Sequence, residues 1–398
     1  MNIKFFRNTA IILCLAILAF LLAEGGTRLY ERRLLQNFPP APDTADAYGN
    51  FDKFSRLILE YGYLQNLHGG HSVIYTPYTG TLNQPHYQWV FKNYDYQFNS
   101  LGLRAPEIAN PKPAGVFRVV LLGGSTVAGG FKPSWTISHA LQEKLKKSIP
   151  NTEVINAGVV GYSSINELLL LETLVLNLNP DLVIVLDGRN DLYYSAMPQL
   201  SVASADKKVL DAMLNQPSLR SILGYMAKIL FQKSHFLSFA FHSVFRRRLL
   251  QVHPVNTVIS EESVQNYVNN LAYIKAILET KKIKGILAFQ PTLGYEKPVS
   301  PYEKTVLDYL RNEEKTNWAE KVQEAWPHTG KRVSGIPNSQ DVKVFDLSKL
   351  FSRYPETLYI DSCHYTPQGC RIIGNKLSEL ILASFGKPES PDRRTNSK

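Results

Sequence analysis

A serine that follows a glycine pair is the first residue in this chain whose surroundings suit nucleophilic chemistry. Residues 119–122 are apolar and predict a buried strand, and Gly123 and Gly124 then lead directly to Ser125. In open α/β sheets the carboxyl ends of the strands form the edge at which ligands bind. An ordinary glycine turn explains this stretch equally well by itself. A nucleophilic role for Ser125 therefore depends on a base, a group that orients the base and oxyanion donors elsewhere in the chain.

His364 is the best candidate for the base. It is the only one of nine histidines that has an aspartate three residues earlier, Asp361. An Asp-x-x-His turn can hold the imidazole in the tautomer that accepts a proton from serine. Thr366 and Pro367, which follow, also suit an ordinary helix start, so this motif would be commonplace if it stood alone.

Two further turns offer donors for an oxyanion. Gly161 comes after the second predicted strand, and its lack of a side chain lets a backbone N–H approach a ligand closely. Asn190 follows the third predicted strand and offers a side-chain amide. Each is a common turn signal when taken separately. Together, four strand ends supply serine, glycine, asparagine and the Asp–His pair, and turn chemistry alone does not explain that coincidence.

Other kinds of site fit the sequence less well. A phosphate-binding loop at the first strand would need lysine where Gly130 and Phe131 stand, and an α/β-hydrolase nucleophile elbow would need glycine at Val127. His68 and His71 lack a third metal ligand nearby, and no dinucleotide-binding glycine motif follows a predicted strand. The sequence therefore predicts neither a metal nor a cofactor.

The elements that would position these residues alternate between strand and helix. Apolar segments predict strands at 116–122, 153–156, 181–186, 285–289 and 342–345. Helical spacing between them indicates a doubly wound α/β fold with a central parallel sheet of about five strands. We expect this domain to span 111–385, with insertions at about 196–255 and 295–335, and residues 386–398 to form a disordered tail.

The first 34 residues predict a membrane anchor. Residues 9–23 are almost wholly apolar, and basic residues flank both sides. The absence of a small-residue cleavage triplet favours an uncleaved transmembrane helix with a short cytoplasmic stub over a signal peptide. Residues 35–110 then predict a linker and an irregular cap. We expect the main domain to be extracytoplasmic, in the periplasm or at the cell surface.

The charge of the chain bears on its partners. The formal net charge is +10, yet the basic residues are scattered or lie near the apolar N-terminal segment. Basic proteins bind nucleic acid or anionic lipid, and no nucleic-acid-binding motif is present. The composition therefore favours a membrane surface and no nucleic acid, and it leaves the oligomeric state open.

Two cysteines near the C-terminus allow two interpretations. In an exported protein Cys363 and Cys370 can form a disulfide that closes a small loop. They can equally be two separate small apolar side chains. Their separation in sequence does not decide, because a disulfide requires a specific geometry.

Four blocks of the sequence resemble the SGNH, or GDSL-type, hydrolase family. Within about 98–385 they occur in the family's order as Gly123-Gly-Ser125, 156–161, 188–191 and Asp361-x-x-His364. The resemblance is to membrane-anchored bacterial members, and it implies a flavodoxin-like three-layer sandwich. It also implies that Ser125 is the nucleophile and that His364 is the general base, oriented by Asp361. The Gly161 N–H, the Asn190 side chain and the Ser125 N–H would form the oxyanion hole.

Two positions depart from the family's pattern. Gly124 stands where the family usually has aspartate, a change also seen among anchored relatives. Arg189 replaces the usual small or hydroxyl residue before Asn190. Its guanidinium can face an anionic or polyhydroxylated substrate or form a surface ion pair, and we favour the surface pair.

The sequence as a whole predicts a membrane-anchored serine esterase that works through an acyl-enzyme. The expected substrates are O-acyl or O-acetyl groups of a cell-envelope carbohydrate or lipid. Two alternatives use the same fold. One is an O-acyltransferase, in which a sugar hydroxyl replaces water, and the other is a non-catalytic envelope glycan-binding or assembly protein.

Overall fold

The computed structural model describes residues 3–41, 44–68, 72–76, 79–196, 234–240, 259–312 and 318–387. The N-terminal part contains α1 (Ile3–Asn37), α2 (Phe51–His68) and two antiparallel hairpins, β1 (Val73–Thr76) with β2 (Gly80–Asn83) and β3 (Gln88–Phe91) with β4 (Tyr94–Gln97). The main domain contains, in chain order, β5 (Phe117–Gly123), α3 (Ser125–Ala128), α4 (Ile137–Lys146), β6 (Thr152–Gly158), α5 (Ser164–Thr173), β7 (Leu182–Asp187), α6 (Arg189–Ala196), α7 (Glu261–Thr280), β8 (Lys284–Phe289), α8 (Pro301–Asn312), α9 (Trp318–Ser334), β9 (Val342–Asp346) and α10 (Pro367–Phe385).

Two predicted segments fall largely outside the described residues. Of the insertion predicted at about 196–255, the structure describes residue 196 and residues 234–240, and residues 235–240 are helical. Most of the predicted tail, from residue 388 onward, also lies outside them. The insertion predicted at 295–335 is described in most of its length and contains α8 and α9.

The central sheet confirms the predicted fold class. Its strand order is β6-β5-β7-β8-β9, and each neighbouring pair is parallel. Counted along the chain within the sheet this order is 2-1-3-4-5, as in flavodoxin-like folds. The chain runs from β5 outward to β6 and then crosses back to β7. The crevice between the carboxyl ends of β5 and β7 is therefore the switch point at which such sheets bind ligands.

Helices cover both faces of the sheet, which gives the three layers. Side chains alternate along β5, so Val119 and Leu121 pack with α4 and α10 on one face. Val120 and Leu122 pack with α5, α7 and α9 on the other face. All four side chains are fully buried, and burial of each stabilises the fold by roughly 2 kcal/mol. A strand covered on both faces needs a continuous apolar segment, which is the pattern that predicted it.

The segment between α1 and the sheet packs on the main domain through apolar and aromatic side chains. Phe38 and Ala41, in the stretch predicted as a linker, are buried in the core. The ring of Tyr61 in α2 lies 5.1 Å from that of Phe131 and 5.0 Å from that of Tyr94, between centroids. The sequence predicted irregular structure here, whereas α2 is a helix of 18 residues.

The long helix α1 has two unlike halves. It contains Arg7–Asn37, the one segment among the described residues that is long and apolar enough to cross a membrane. Apolar side chains of its first half, such as Leu22, are exposed, whereas Glu31 in the second half is fully buried. Glu31 is hydrogen-bonded to Tyr63 of α2 and to His235. The second half is therefore docked on α2 and on the short helix that begins at His235.

Cys363 and Cys370 are two buried free thiols in the structure. The Sγ atom of Cys370 lies 3.6 Å from the carbonyl oxygen of Trp135, and that of Cys363 lies 3.7 Å from Nδ1 of His364. The structure therefore agrees with two separate cysteine side chains and not with a disulfide.

Candidate active site

Ser125 occupies the first position of α3, directly after β5. It lies at the switch point of the sheet, as its setting in the sequence predicted. Gly124 before it is extended, with φ −81° and ψ −151°. A Cβ atom at Gly124 would lie 2.7 Å from Nδ2 of Asn190 and 2.9 Å from the carbonyl oxygen of Tyr162. Those contacts give a steric reason for glycine, rather than aspartate, before the serine.

A chain of hydrogen bonds joins Ser125 to His364 and Asp361. The Oγ atom of Ser125 is 2.7 Å from Nε2 of His364, and Nδ1 of His364 is 2.6 Å from Oδ2 of Asp361. A carboxylate can only accept, so Nδ1 carries the ring proton and Nε2 accepts from the serine hydroxyl. This is the tautomer that a general base requires.

The surroundings of Asp361 keep its carboxylate ionised. Oδ1 accepts the backbone N–H groups of Cys363 at 2.9 Å and His364 at 2.8 Å. Burial acts to raise the pKa of Asp361, but the charge of His364 and these hydrogen bonds outweigh it and hold the pKa well below its ordinary value. The loop thus presents a fixed negative charge to one side of the imidazole.

The same pairing changes the acid–base behaviour of His364. Burial acts to lower the pKa of His364, and the negative charge of Asp361, with a smaller effect of Cys363, raises it well above the ordinary histidine value. An imidazolium formed by taking the serine proton is therefore stabilised. The neutral, basic form correspondingly requires a higher pH.

A side chain of α8, Glu303, fixes the loop that precedes Asp361 through hydrogen bonds. Glu303 accepts the backbone N–H groups of Leu358 at 2.9 Å and Tyr359 at 3.1 Å. It also pairs with Lys297 at 2.6 Å, and both of these side chains are almost wholly buried. The sequence did not single out Glu303. The sequence pattern that could have pointed to Glu303 is a capping box. In the structure, the side chains of Ser300 and Glu303 each accept the backbone N–H of the other at the start of α8.

Two of the predicted oxyanion donors, Gly161 and Asn190, come from other loops that reach the same cleft. Gly161 has a φ of +81°, a left-handed conformation that favours glycine. Asn190 is the second residue of α6, and its Nδ2 atom donates to the carbonyl oxygen of Tyr162 at 2.7 Å. That bond uses one of the two amide hydrogens. Gly161 and Asn190 line the same cleft as Ser125.

The cleft that contains Ser125 has a volume of about 650 Å³. Part of its wall is apolar and comes from α2, through Phe54, Ile58 and Tyr61, and Asn190 contributes polar atoms elsewhere. A pocket of this size, mostly apolar with a few convergent polar groups, is typical of small-molecule sites. A second cavity of about 600 Å³ between β4, α4 and β6 is lined by none of the predicted site residues.

Arg189 is not the surface residue that the sequence suggested. It is 7% exposed and lines the cleft. Its guanidinium carbon lies 4.4 Å from the centroid of the Tyr193 ring, and Nη2 lies 3.4 Å from Oγ of Ser362. The favoured interpretation of a surface ion pair is therefore wrong, because the first turn of α6 faces the interior of the site.

Asn190 is followed directly by one of three buried carboxyl groups that interact with one another, those of Asp187, Asp191 and Glu167. The sequence did not predict them as a group. Asp187, the last residue of β7, accepts a hydrogen bond of 2.7 Å from Tyr267, and Asp191 accepts the backbone N–H of Ser164 at 3.1 Å. Burial and the charge of Asp191 raise the pKa of Asp187 to about 8, and burial raises that of Asp191 to about 6. Burial and the charge of Asp187 also raise the pKa of Glu167 well above its ordinary value.

No family model and no curated protein sequence matches the chain. Solved structures do, among them the acetyl xylan esterase AlAXEase, at 16% identity over 66% of this chain and 99% of its own, with a TM-score of 0.36. A lipase/acylhydrolase from Enterococcus faecalis matches at 18% identity over 67% and 95%, with a TM-score of 0.36. A putative lipolytic protein of the G-D-S-L family from Desulfitobacterium hafniense matches at 13% identity over 66% and 99%, with a TM-score of 0.34.

Proposed function

We propose that this protein is a serine ester hydrolase whose nucleophile is Ser125, whose base is His364 and whose orienting carboxylate is Asp361. The observation that carries the proposal is the chain of two short hydrogen bonds, 2.7 Å from Oγ to Nε2 and 2.6 Å from Nδ1 to Oδ2. Residues 239 positions apart in the sequence meet in this geometry. The arrangement supports proton transfer from serine to imidazole as the hydroxyl attacks.

The reaction would proceed through an acyl-enzyme. His364 takes the proton of Ser125 as Oγ attacks the ester carbonyl, and the negative oxygen of the tetrahedral intermediate is held by the Gly161 N–H, the Asn190 amide and the Ser125 N–H. The imidazolium then gives its proton to the leaving alcohol. In the second half a water molecule, deprotonated by the same imidazole, releases the acid and frees the serine.

The cleft fits an ester that has an apolar and a polar part. The aromatic and aliphatic wall from α2 suits an acyl chain, and the polar group of Arg189 suits the alcohol part. The apolar first half of α1 supports attachment to a membrane. We propose that the site lies on the extracytoplasmic side of that membrane. An O-acylated or O-acetylated envelope carbohydrate or lipid is the substrate class that we propose.

Ser125→Ala tests the proposal. We expect the variant to lose ester hydrolysis and covalent labelling by an organophosphonate while its circular dichroism stays that of the wild type, because only one oxygen is removed. Ser72→Ala is the control for labelling, since Ser72 also lines the cleft. Undiminished turnover by Ser125→Ala would refute the assignment. Labelling of the wild type without release of acid into water would favour the acyltransferase.

A further inference from the structure

Three side chains that can ligate transition metals lie together at the proposed base. They are Cys363, His364 and Asp361, and one ligand atom of each lies within 4.8 Å of those of the other two. The separation of Cys363 Sγ and His364 Nδ1 is 3.7 Å, and that of Nδ1 and Asp361 Oδ2 is 2.6 Å. All three residues line the cleft, so solutes that enter it have access to them. We propose that these atoms bind a thiophilic divalent cation, with Zn²⁺ as the best fit, and that the bound ion switches the site off. Inhibition rests on the proposed function, whereas the binding itself does not.

The spacing of the three atoms is close to that of a tetrahedral zinc site. Ligand distances of about 2.3 Å to sulfur and about 2.0 Å to nitrogen imply a sulfur–nitrogen separation of about 3.5 Å. The separation of Cys363 Sγ and His364 Nδ1 is 3.7 Å. Oδ2 of Asp361 is 2.6 Å from Nδ1, which is hydrogen-bond distance, and it would move away by less than about 1 Å to become a third ligand.

The ligand types select the metal. Thiolate and imidazole together favour zinc and cobalt over magnesium and calcium, which prefer oxygen ligands. Among the described residues, these three form the one group of three or more such side chains with atoms this close together. Cys370 also lines the cleft but contacts the carbonyl oxygen of Trp135, so it offers a comparison within the same wall.

Metal binding and general-base catalysis exclude each other at His364. When the ion binds, the thiol of Cys363 releases its proton to solvent, and the sulfur and nitrogen lone pairs form the bonds to the metal. The neutral imidazole still carries one proton, but that proton must now be on Nε2 because the metal occupies Nδ1. Nε2 then cannot accept the proton of Ser125. No electron transfer is involved, and removal of the ion restores the original tautomer.

Binding is tested on the full chain in detergent with Ser125→Ala as the background, so that the result does not depend on any esterase activity. We expect Co²⁺ to produce the near-ultraviolet charge-transfer band of a cobalt–thiolate bond, and Zn²⁺ to abolish it. Adding Cys363→Ala should remove the band and weaken Zn²⁺ binding by at least about tenfold. Adding Cys370→Ala should change neither. A band that survives Cys363→Ala, or the absence of a band from the background variant, would overturn the proposal.

Inhibition is tested separately, as the ratio of hydrolysis rates with and without metal for each variant. We expect Zn²⁺ to inhibit the wild type, a chelator to restore its rate and Mg²⁺ to have no effect. The inhibition constant for Zn²⁺ should rise at least about tenfold in Cys363→Ala and in the more conservative Cys363→Ser. Equal inhibition of the wild type and both variants would place the inhibitory ion elsewhere. If the cobalt band appears but no ester is hydrolysed, the metal site stands and the proposed function fails.

Discussion

Two aspartates near the proposed site, Asp361 and Asp187, have opposite ionisation behaviour. Burial acts to raise the pKa of both carboxyl groups. Asp361 accepts two backbone N–H groups and pairs with His364, so its pKa falls. At Asp187 burial, and after it the charge of the neighbouring carboxyl group Asp191, raise the pKa to about 8. The partners of Asp361 outweigh the effect of burial, and those of Asp187 do not.

The difference in ionisation matches what the proposed base and the proposed oxyanion donors must each stabilise. Beside the base, the site has to favour an imidazolium at His364, and the fixed carboxylate of Asp361 does that. The oxyanion donors have to favour a negative oxygen beside Asn190, and additional ionised carboxylates nearby would oppose it. Below about pH 8 Asp187 is neutral and adds no charge of its own to that of Asp191. Environment thus gives one residue type two roles, as in other enzymes that pair carboxyl groups.

Asp361→Asn is the strongest test of this difference, because it removes the negative charge beside His364 while the size of the side chain stays nearly constant. We expect kcat to fall by about 10⁴-fold, because the amide neither stabilises the imidazolium nor enforces the productive tautomer. Steady-state kinetics on a soluble ester measures it, with circular dichroism to establish folding. A loss smaller than tenfold would mean that the carboxylate charge is not needed.

The pH profile of the same variant gives a second readout. His364 acts as a base only when it is neutral, so wild-type activity should fall as the pH drops through its raised pKa. Without the charge of Asp361 that pKa should move down towards the ordinary histidine value. The residual activity of Asp361→Asn should therefore persist to lower pH than that of the wild type. Identical acid limbs would contradict the proposed source of the shift.

Glu303→Gln tests whether the loop that carries Asp361 and His364 depends on the buried ion pair of Glu303 and Lys297. The substitution leaves the ammonium of Lys297 buried without an ionised partner, and we expect the free energy of unfolding to fall by about 3–5 kcal/mol. Thermal or denaturant unfolding in detergent measures the change. Adding Lys297→Met should recover part of the loss, because no isolated charge then remains. Wild-type stability in Glu303→Gln would show that the loop holds its conformation without this pair.

Asn190→Ala addresses the oxyanion side. We expect kcat to fall by about 10²–10³-fold with little change in KM, because the donor acts on the transition state more than on the bound ester. The acid limb of the pH profile should stay where it is in the wild type, in contrast to Asp361→Asn. Asn177→Ala is the control, because Asn177 is exposed and its side-chain amide donates to the carbonyl oxygen of Thr173. A rise in KM at constant kcat would make Asn190 a ground-state binding residue instead.

The smallest effect on kcat is expected from Asp187→Asn, which keeps this side chain neutral at every pH. A carboxyl group whose folded pKa is raised stabilises the fold below its unfolded pKa and loses that contribution as the pH rises. For Asp187 the window runs from 3.8 to about 8. Across this window the free energy of unfolding of the wild type should fall with rising pH more steeply than that of the variant. Unfolding measured over this range checks the slopes, and parallel curves would show that Asp187 is ionised in the folded protein.

The fold and the meeting of the distant residues were predictable because the signals are local. A strand covered on both faces needs a continuous apolar segment, so the five strands were visible along the chain. Ser125, Gly161, Asn190 and His364 each follow such a segment, and parallel strands bring their carboxyl ends to one edge. The structure places these residues together around one cleft, as expected. Their roles in a reaction stay a prediction.

What the sequence did not reveal depends on packing between distant segments. Arg189 is an ordinary exposed residue by its type, and only the orientation of α6 places it in the cleft. Phe38 and Ala41 lie in a Pro- and Ala-rich stretch typical of linkers, yet they are buried. The raised pKa of Asp187 comes first from its burial and then from the charge of Asp191, and the burial is not visible in the local sequence. Composition describes a residue's preference, whereas burial is a property of the assembled chain.

The continuity of α1 has a consequence for how the protein searches for its substrate. At about 1.5 Å per residue the 35-residue helix is roughly 50 Å long, and its second half is fixed to α2 through Glu31 and Tyr63. If the exposed half lies in a bilayer, no flexible tether separates the bilayer from the cleft. The serine would then be carried at a nearly constant height and would meet substrates by diffusion in two dimensions. The amount of ester per unit area of membrane, more than its concentration in solution, would set the rate of encounter.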